Sequence, residues 1–276
     1  MTITRSEYQA FSDFEKDAWV KLPEHYDSIV GPMTRRGVDA VLAAVALRPG
    51  MALLDVASGL GYVAAEAKRR GANVTGVDFS LDMINEARRH FPDLEIEQGD
   101  AENLHYGDAS FDAVACAFGM LHFPRPGKAL AEAYRVLKPG GRFAFTVWVG
   151  PPKNKFFGTI ADTVIKHADM SAAPPKGPGT FMLSDPMVCA ALMDAGRFTG
   201  IDITEVPCDF ELRAPIEMLE FMKKCAVRPV YIFERQTPEV QARIEQALLD
   251  EGAKAIAQDG GRMPCPILLV SGIKPG

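Results

Sequence analysis

The chain has 276 residues, 47% of them hydrophobic, enough to fill a sizeable core and to exclude disorder as the main state. Thirty Lys and Arg face 36 Asp and Glu, so the surface is mildly acidic and a nucleic-acid substrate is disfavoured. The five cysteines, Cys116, Cys189, Cys208, Cys225 and Cys265, are odd in number, far apart in sequence and lack CxxC or Cys/His ligand spacing, so they read as thiols in a reducing compartment with no metal.

The N-terminal stretch MTITRSEYQAFSDFEKDAWV carries charges throughout, and no later apolar run is long enough to span a bilayer, so the expectation is a cytoplasmic protein. Between about residues 50 and 150, short apolar runs alternate with amphipathic stretches, the pattern of successive βα units and a parallel sheet. MALLDVA is the first strand; it ends at the turn Ser58, Gly59, Leu60, Gly61, followed by the helix YVAAEAKRR. NVTGVD is the second strand, Ser80 caps the helix LDMINEARRH, Pro92 closes it, and LEIEQ is the third strand. FDAVACAF reads as a strand buried on both faces, ALAEAYRVL as the next helix, stopped by Lys138, Pro139, Gly140 and Gly141, and RFAFTVWV as the fifth strand.

Beyond Gly150 prolines punctuate an insertion whose helical part is NKFFGTIADTVIKHAD. Ser184 is expected to cap the helix DPMVCAALMDA, ended by Gly196. FTGIDITEVPCDFEL is one long strand-like stretch in which Pro207 suggests an edge or bulge. Helices fit residues 215 to 226 and 238 to 257, the second with Thr237 as N-cap and Pro238 at its first position. The final strand, within PCPILLVSGI, fits the outside of a sheet better than its centre because proline is near.

Three loops carry candidate chemistry. In the first, Asp55, Val56, Ala57, Ser58, Gly59, Leu60, Gly61, small residues let a ligand approach the backbone and a helix N-terminus offers N–H groups; the other reading is a structural turn. Asp78, about twenty residues beyond the glycines, is where a carboxylate can accept from two ribose hydroxyls, or simply cap a turn. Gly59 to Ala64 also satisfies the G-x-G-x-x-A form of a dinucleotide site, which keeps an NAD(P)- or FAD-dependent oxidoreductase as the enzyme alternative. Asp55 argues against that alternative, since its charge would oppose a pyrophosphate but could orient an ammonium; it could equally be an acceptor for loop N–H groups. In the third loop, Gly99, Asp100, Ala101, Glu102, Asn103, Leu104, Asp100 could accept from an adenine amino group or be a turn residue.

LLDVASGLGYVA, VTGVDFS, GDAENL, FDAVACAFGMLHF and YRVLKPGGRFAFTVW together resemble the ordered motifs of class I S-adenosylmethionine-dependent methyltransferases, over roughly residues 20 to 150. Within that superfamily the segment most resembles the group typified by ubiquinone and menaquinone biosynthesis C-methyltransferases. The resemblance implies an α/β, doubly wound, mostly parallel seven-stranded sheet of Rossmann-like type with its last strand antiparallel and with helical cap insertions. It implies S-adenosyl-L-methionine as cofactor and S-adenosyl-L-homocysteine as product. Carried over by position, Gly59 and Gly61 face the methionine part, Asp78 the ribose, and Asp100 with Ala101 the adenine, while Asp55, Ala57, Phe79, Met83, Glu102 and Ala117 complete the cofactor set. The family usually has glycine where this chain has Ala57, which keeps a non-catalytic protein of the same fold as an alternative.

A bound sulfonium already activates its methyl group, so the expected task of the protein is to hold a small acceptor in line and exclude water, with no metal. His122 is the first candidate base, its other role being to anchor the loop from Gly119 to Phe123; Tyr26 and then His25 are second candidates or packing residues. Phe156, Phe157, Phe181, Met182, Met218, Phe221 and Met222 would suit an apolar or aromatic acceptor, or form ordinary core. The expected organisation is one domain over 1–276, with core 45–150, 184–211 and 262–274 and cap 1–44, 151–183 and 212–261; it is a monomer or homodimer without a membrane span.

Overall fold

The computed structural model describes residues 4–21 and 23–276; residues 1–3 and Leu22, which fall in the expected cap, lie outside it. The first half of the chain forms α1 (Arg5–Lys21), α2 (Pro23–Ile29), α3 (Gly31–Thr34), α4 (Val38–Ala44), β1 (Ala52–Val56), α5 (Tyr62–Arg69), β2 (Asn73–Asp78), α6 (Leu81–His90), β3 (Ile96–Gln98), β4 (Phe111–Ala117), α7 (Pro126–Val136) and β5 (Leu137–Trp148). There follow α8 (Lys155–His167), α9 (Pro186–Ala195), β6 (Thr199–Val206), β7 (Asp209–Glu211), α10 (Pro215–Cys225), α11 (Val227–Glu234), α12 (Pro238–Asp259), β8 (Arg262–Pro264) and β9 (Ile267–Ile273).

These elements divide into two compact units, one of residues 34–148, 177–206 and 267–276, the other of residues 1–33, 149–176 and 207–266. The first unit is built on a seven-stranded sheet of order β3-β2-β1-β4-β5-β9-β6. β1 pairs in parallel with both β2 and β4, so the chain winds outward one way to β3 and then returns to wind the other way from β4. That reversal leaves a crevice at the carboxyl ends of β1 and β4, where open α/β sheets receive ligands. β1 sits there because its residues can be covered on both faces: Leu53 and Leu54 are wholly buried, and a cluster with Val41, Leu42, Val63, Ala113 and Ala144 packs around Leu53. Residues 34–44, expected in the cap, pack with this sheet because Val38, Val41 and Leu42 form an apolar stripe on α4.

β9 is antiparallel to both neighbours, as expected of the last strand, but it lies inside the sheet and β6 is the edge. The prolines at 264 and 266 precede the paired residues, so Ile267–Ile273 keeps all its donors and its core-forming side chains are buried. Pro207 ends β6 instead of bending it, and β7 continues in the other unit, paired with β8. The cap of α9 is Asp185, which accepts from Met187 N–H at 2.8 Å; Ser184 donates instead to the Phe181 carbonyl. Pro186 at the first helical position explains the shift by one, since the preceding residue must be the cap.

The second unit is mainly helical, with the β7–β8 pair as its strands. Phe156, Phe221, Met218 and Met222, weighed as acceptor-pocket residues, are wholly or almost wholly buried there, with Phe156 stacked on Phe210 at 4.0 Å between ring centroids. Phe181 and Met182 belong to the sheet unit, and Met182 is exposed. α11 has no counterpart among the sequence expectations. Cys208 and Cys265, 57 residues apart, meet beside the β7–β8 pair with 3.6 Å between sulfurs. No helix among the described residues is long and apolar enough to cross a membrane.

Leu54→Ala should cost about 3 kcal/mol of stability, because the central strand cannot collapse onto the void. Urea unfolding of the variant measures it; a loss below about 1 kcal/mol would contradict a fully covered β1.

Candidate functional site

The candidate site residues gather at the carboxyl ends of β1, β2 and β4, in register: Asp55 lies opposite Gly76 on one side and Ala115 on the other. After β1 the backbone turns through three left-handed residues, Ala57 (φ 54°), Gly59 (φ 53°) and Gly61 (φ 80°). Glycine takes this conformation without strain at 59 and 61, whereas an alanine there costs about 1–2 kcal/mol. Nothing lies within 4 Å of where a Cβ of Gly59 would stand, so the surface above this turn is open.

Asp78, at the end of β2, ties the second loop to the first. One carboxylate oxygen accepts from Gly59 N–H at 2.8 Å and the other from Ser80 N–H at 2.9 Å. Ser80 caps α6 by accepting from Met83 N–H at 3.3 Å, as expected. Burial pushes the Asp78 carboxyl above the usual carboxylate range; the N–H groups of Ser80, Gly59 and Phe79 and the nearby His122 pull the other way. Two anchored oxygens still leave lone pairs for hydroxyl donors.

Asp55 is buried at the end of β1 and accepts from Ala64 N–H at 3.1 Å. Gly61 at the N-cap of α5 has no side chain, so Asp55 supplies the acceptor that the first helical turn lacks. This is the structural role weighed for it. Burial pushes its carboxyl up to about 8, opposed by the Ala64 N–H and reinforced by the charge of Asp78.

The third loop is one strand farther out, joined by Gly99 N–H to the Asp78 carbonyl at 2.9 Å. Asp100 is exposed, and its carboxylate closes a turn by accepting from Glu102 N–H at 2.8 Å. Glu102 is buried and uses both oxygens on Arg125, at 2.6 Å to the backbone N–H and 2.6 Å to Nε, bracing this loop against the start of α7. Ala101, Phe79 and Ala117 are partly exposed around the crevice, and Met83 is buried in the first turn of α6. His122 ends a 3₁₀ turn, Met120–His122, that follows β4; its backbone N–H donates to the Gly119 carbonyl at 2.9 Å. Tyr26, on α2 in the helical unit, stands 5.8 Å from Trp19 between ring centroids, and His25 precedes it.

Two contributors escaped sequence reasoning. Phe118, directly after β4, is left-handed (φ 59°), buried and stacked on Trp148 at 4.3 Å, with its N–H held by the Thr146 carbonyl at 3.0 Å. Gly119 next to it has no room for a Cβ. Only the glycine following a small-residue strand hinted at either.

A sheet reversed between β1 and β4, with β9 inserted antiparallel between β5 and β6 and a glycine turn tethered to an acid at the end of β2, has the Rossmann-like fold of solved methyltransferase neighbours. Residues 54–145 match the methyltransferase domain family, and this segment resembles the ubiquinone and menaquinone C-methyltransferase group. The demethylmenaquinone methyltransferase of Renibacterium salmoninarum is 41% identical over 123 residues, covering 45% of this chain and 52% of that protein. The ubiquinone/menaquinone biosynthesis C-methyltransferase UbiE of Brucella abortus is 41% identical over 143 residues, covering 46% and 53%. The chain thus spans about half the length of these curated relatives. The solved structure of the YcgJ protein from Bacillus subtilis shares the fold, with a TM-score of 0.59 and 19% identity over 87% of this chain and 98% of that one.

The raised Asp55 carboxyl makes stability depend on pH. The folded chain keeps a proton that the unfolded chain loses near pH 4, so stability falls as pH rises from about 4 through about 8. Asp55→Asn keeps an acceptor for Ala64 and should flatten that decline; chemical unfolding across this range, with parallel curves for both proteins, would contradict it.

Proposed function

We propose that this chain transfers the methyl group of S-adenosyl-L-methionine to a small, apolar or aromatic acceptor and releases S-adenosyl-L-homocysteine. The observation that carries the reading is the Gly59–Asp78 hydrogen bond, which brings an open, small-residue turn and a carboxylate with spare lone pairs to the same crevice. The cofactor, when bound, supplies an activated methyl on a sulfonium. In this reading Asp78 receives the ribose hydroxyls and the Gly59–Gly61 backbone lies along the amino-acid end. Asp100, with Ala101, borders the adenine, while Phe79, Met83 and Ala117 shape the walls. Asp55 supports the turn from beneath, and Glu102 holds the third loop through Arg125.

His122 is the base in this proposal, because its turn follows β4 at the crevice and it lies close enough to Asp78 to interact with it. Tyr26 is the second candidate. In this reading the whole chain is one enzyme, with the cofactor on the sheet unit, in the cytoplasm and as a monomer or homodimer. The names of the curated relatives support quinone-like acceptors as the first class to try.

Asp78→Asn should weaken S-adenosylhomocysteine binding by at least about tenfold, a loss typical of a charge-assisted hydrogen bond, while the fold is retained. Calorimetry giving unchanged affinity would refute the ribose assignment. With phenolic and quinone-like acceptors, His122→Ala should lower kcat about a hundredfold and leave product affinity intact. Unaltered turnover would leave His122 as a loop anchor, and Tyr26→Phe would then be the next variant.

A further inference from the structure

We infer that Cys208 and Cys265 are an oxidative modification site: hydrogen peroxide converts the two thiols to a disulfide that joins the ends of segment 208–265 and stabilises the fold. The inference stands apart from the methyltransferase reading. The two sulfurs are 3.6 Å apart, and the Cys265 N–H donates to the Cys208 carbonyl at 2.8 Å. Asp209 faces Pro264 and Phe210 faces Met263 across the antiparallel β7–β8 pair, and the same register continued by one residue sets Cys208 directly opposite Cys265. Opposed residues of such a pair, when joined by a ladder hydrogen bond, have Cα atoms about 5.5 Å apart, inside the range of about 4.4–6.8 Å that a disulfide spans. Their side chains also share one face, which the sulfur contact reflects.

A covalent bond has most effect where backbone pairing is thin, and that is the case here. The chain passes into the helical unit after Val206 and out of it before Ile267, with α10, α11 and α12 between. The strands at the stem of this excursion, β7 and β8, are three residues each, and Pro207, Pro264 and Pro266 have no N–H to give. Both cysteines are buried, and Met33 Sδ lies 3.7 Å from Cys265 Sγ, so oxidant reaches the thiols only when this short ladder opens. One thiol loses its proton and attacks a peroxide oxygen; the O–O bond breaks, the released hydroxide takes up that proton as water, and a sulfenic acid remains. The second sulfur attacks the sulfenic sulfur, the S–S bond forms, and the hydroxyl leaves with the second thiol proton as another water. The cysteines give up two electrons and the peroxide is reduced to water.

The test treats the whole reduced chain with hydrogen peroxide and reads it by non-reducing peptide mass spectrometry and by thermal unfolding, neither of which involves a cofactor. The expected product is an intramolecular link between Cys208 and Cys265. It should raise the melting temperature by about 5 °C or more, because tying together residues 57 apart in sequence restricts the unfolded chain, and dithiothreitol should reverse both changes. Cys208→Ala should abolish the link and the shift, whereas Cys225→Ala should keep them. A link through Cys116, Cys189 or Cys225, oxidation at 208 or 265 that stops at sulfinic acid, or two unreacted thiols at these positions would overturn the inference. A Cys208–Cys265 bond that leaves the melting temperature unchanged or lowers it would do the same. If Cys208→Ala does not fold, the mapping and melting of the wild-type chain and of Cys225→Ala decide the matter.

Discussion

The site depends on one hydrogen bond, from the Gly59 backbone to a buried Asp78 carboxylate. Burying a carboxylate is unfavourable unless donors surround it, and here backbone N–H groups from two loops supply them. The same bond converts two flexible connections into a fixed edge: the turn after β1 cannot move without stranding Asp78, and Asp78 cannot turn away without orphaning Gly59. A rigid rim of this kind suits a reaction in which the donor's methyl is already activated and alignment is the remaining task.

Strain is concentrated around that rim. Ala57 and Phe118, two of the non-glycine residues with left-handed backbone, directly follow the ends of β1 and β4, the two strands that flank the crevice. Each is held by its neighbours, Ala57 by contact with the loop of Gly119 and Phe118 by Thr146 and Trp148. Such conformations persist where packing over-determines them, and their clustering here matches a preorganised binding edge. Asp55 adds a buried acid beneath the turn, serving the helix that no N-cap side chain serves.

Much of this was legible in the sequence because the βα alternation and the glycine and acid spacings are local. The first five strands and the helices among them follow from short apolar runs bounded by turn residues, and Ser80 was readable as a cap. What escaped is non-local or competes with a local signal. Prolines beside β9 suggested an outer strand, yet they fall just before the ladder and leave the strand free to pair on both sides. α11 contains Pro229 and a run of β-branched and aromatic residues, which mask a helix that forms in a packed helical unit. The Glu102–Arg125 pair spans 23 residues, and the space denied at Gly119 exists only in three dimensions. The resemblance to methyltransferases pointed to this crevice as the candidate site, but it carried no information on how an alanine fits at 57.

The most direct measurement is a crystal structure of the whole chain with S-adenosylhomocysteine. The account predicts one adenosine across the ends of β1, β2 and β3, its two ribose hydroxyls about 3 Å from the Asp78 carboxylate and its amino-acid end along Gly59 to Gly61. A nucleoside bound elsewhere, or an Asp78 that turns from the sugar while the crevice stays filled by protein, would contradict it.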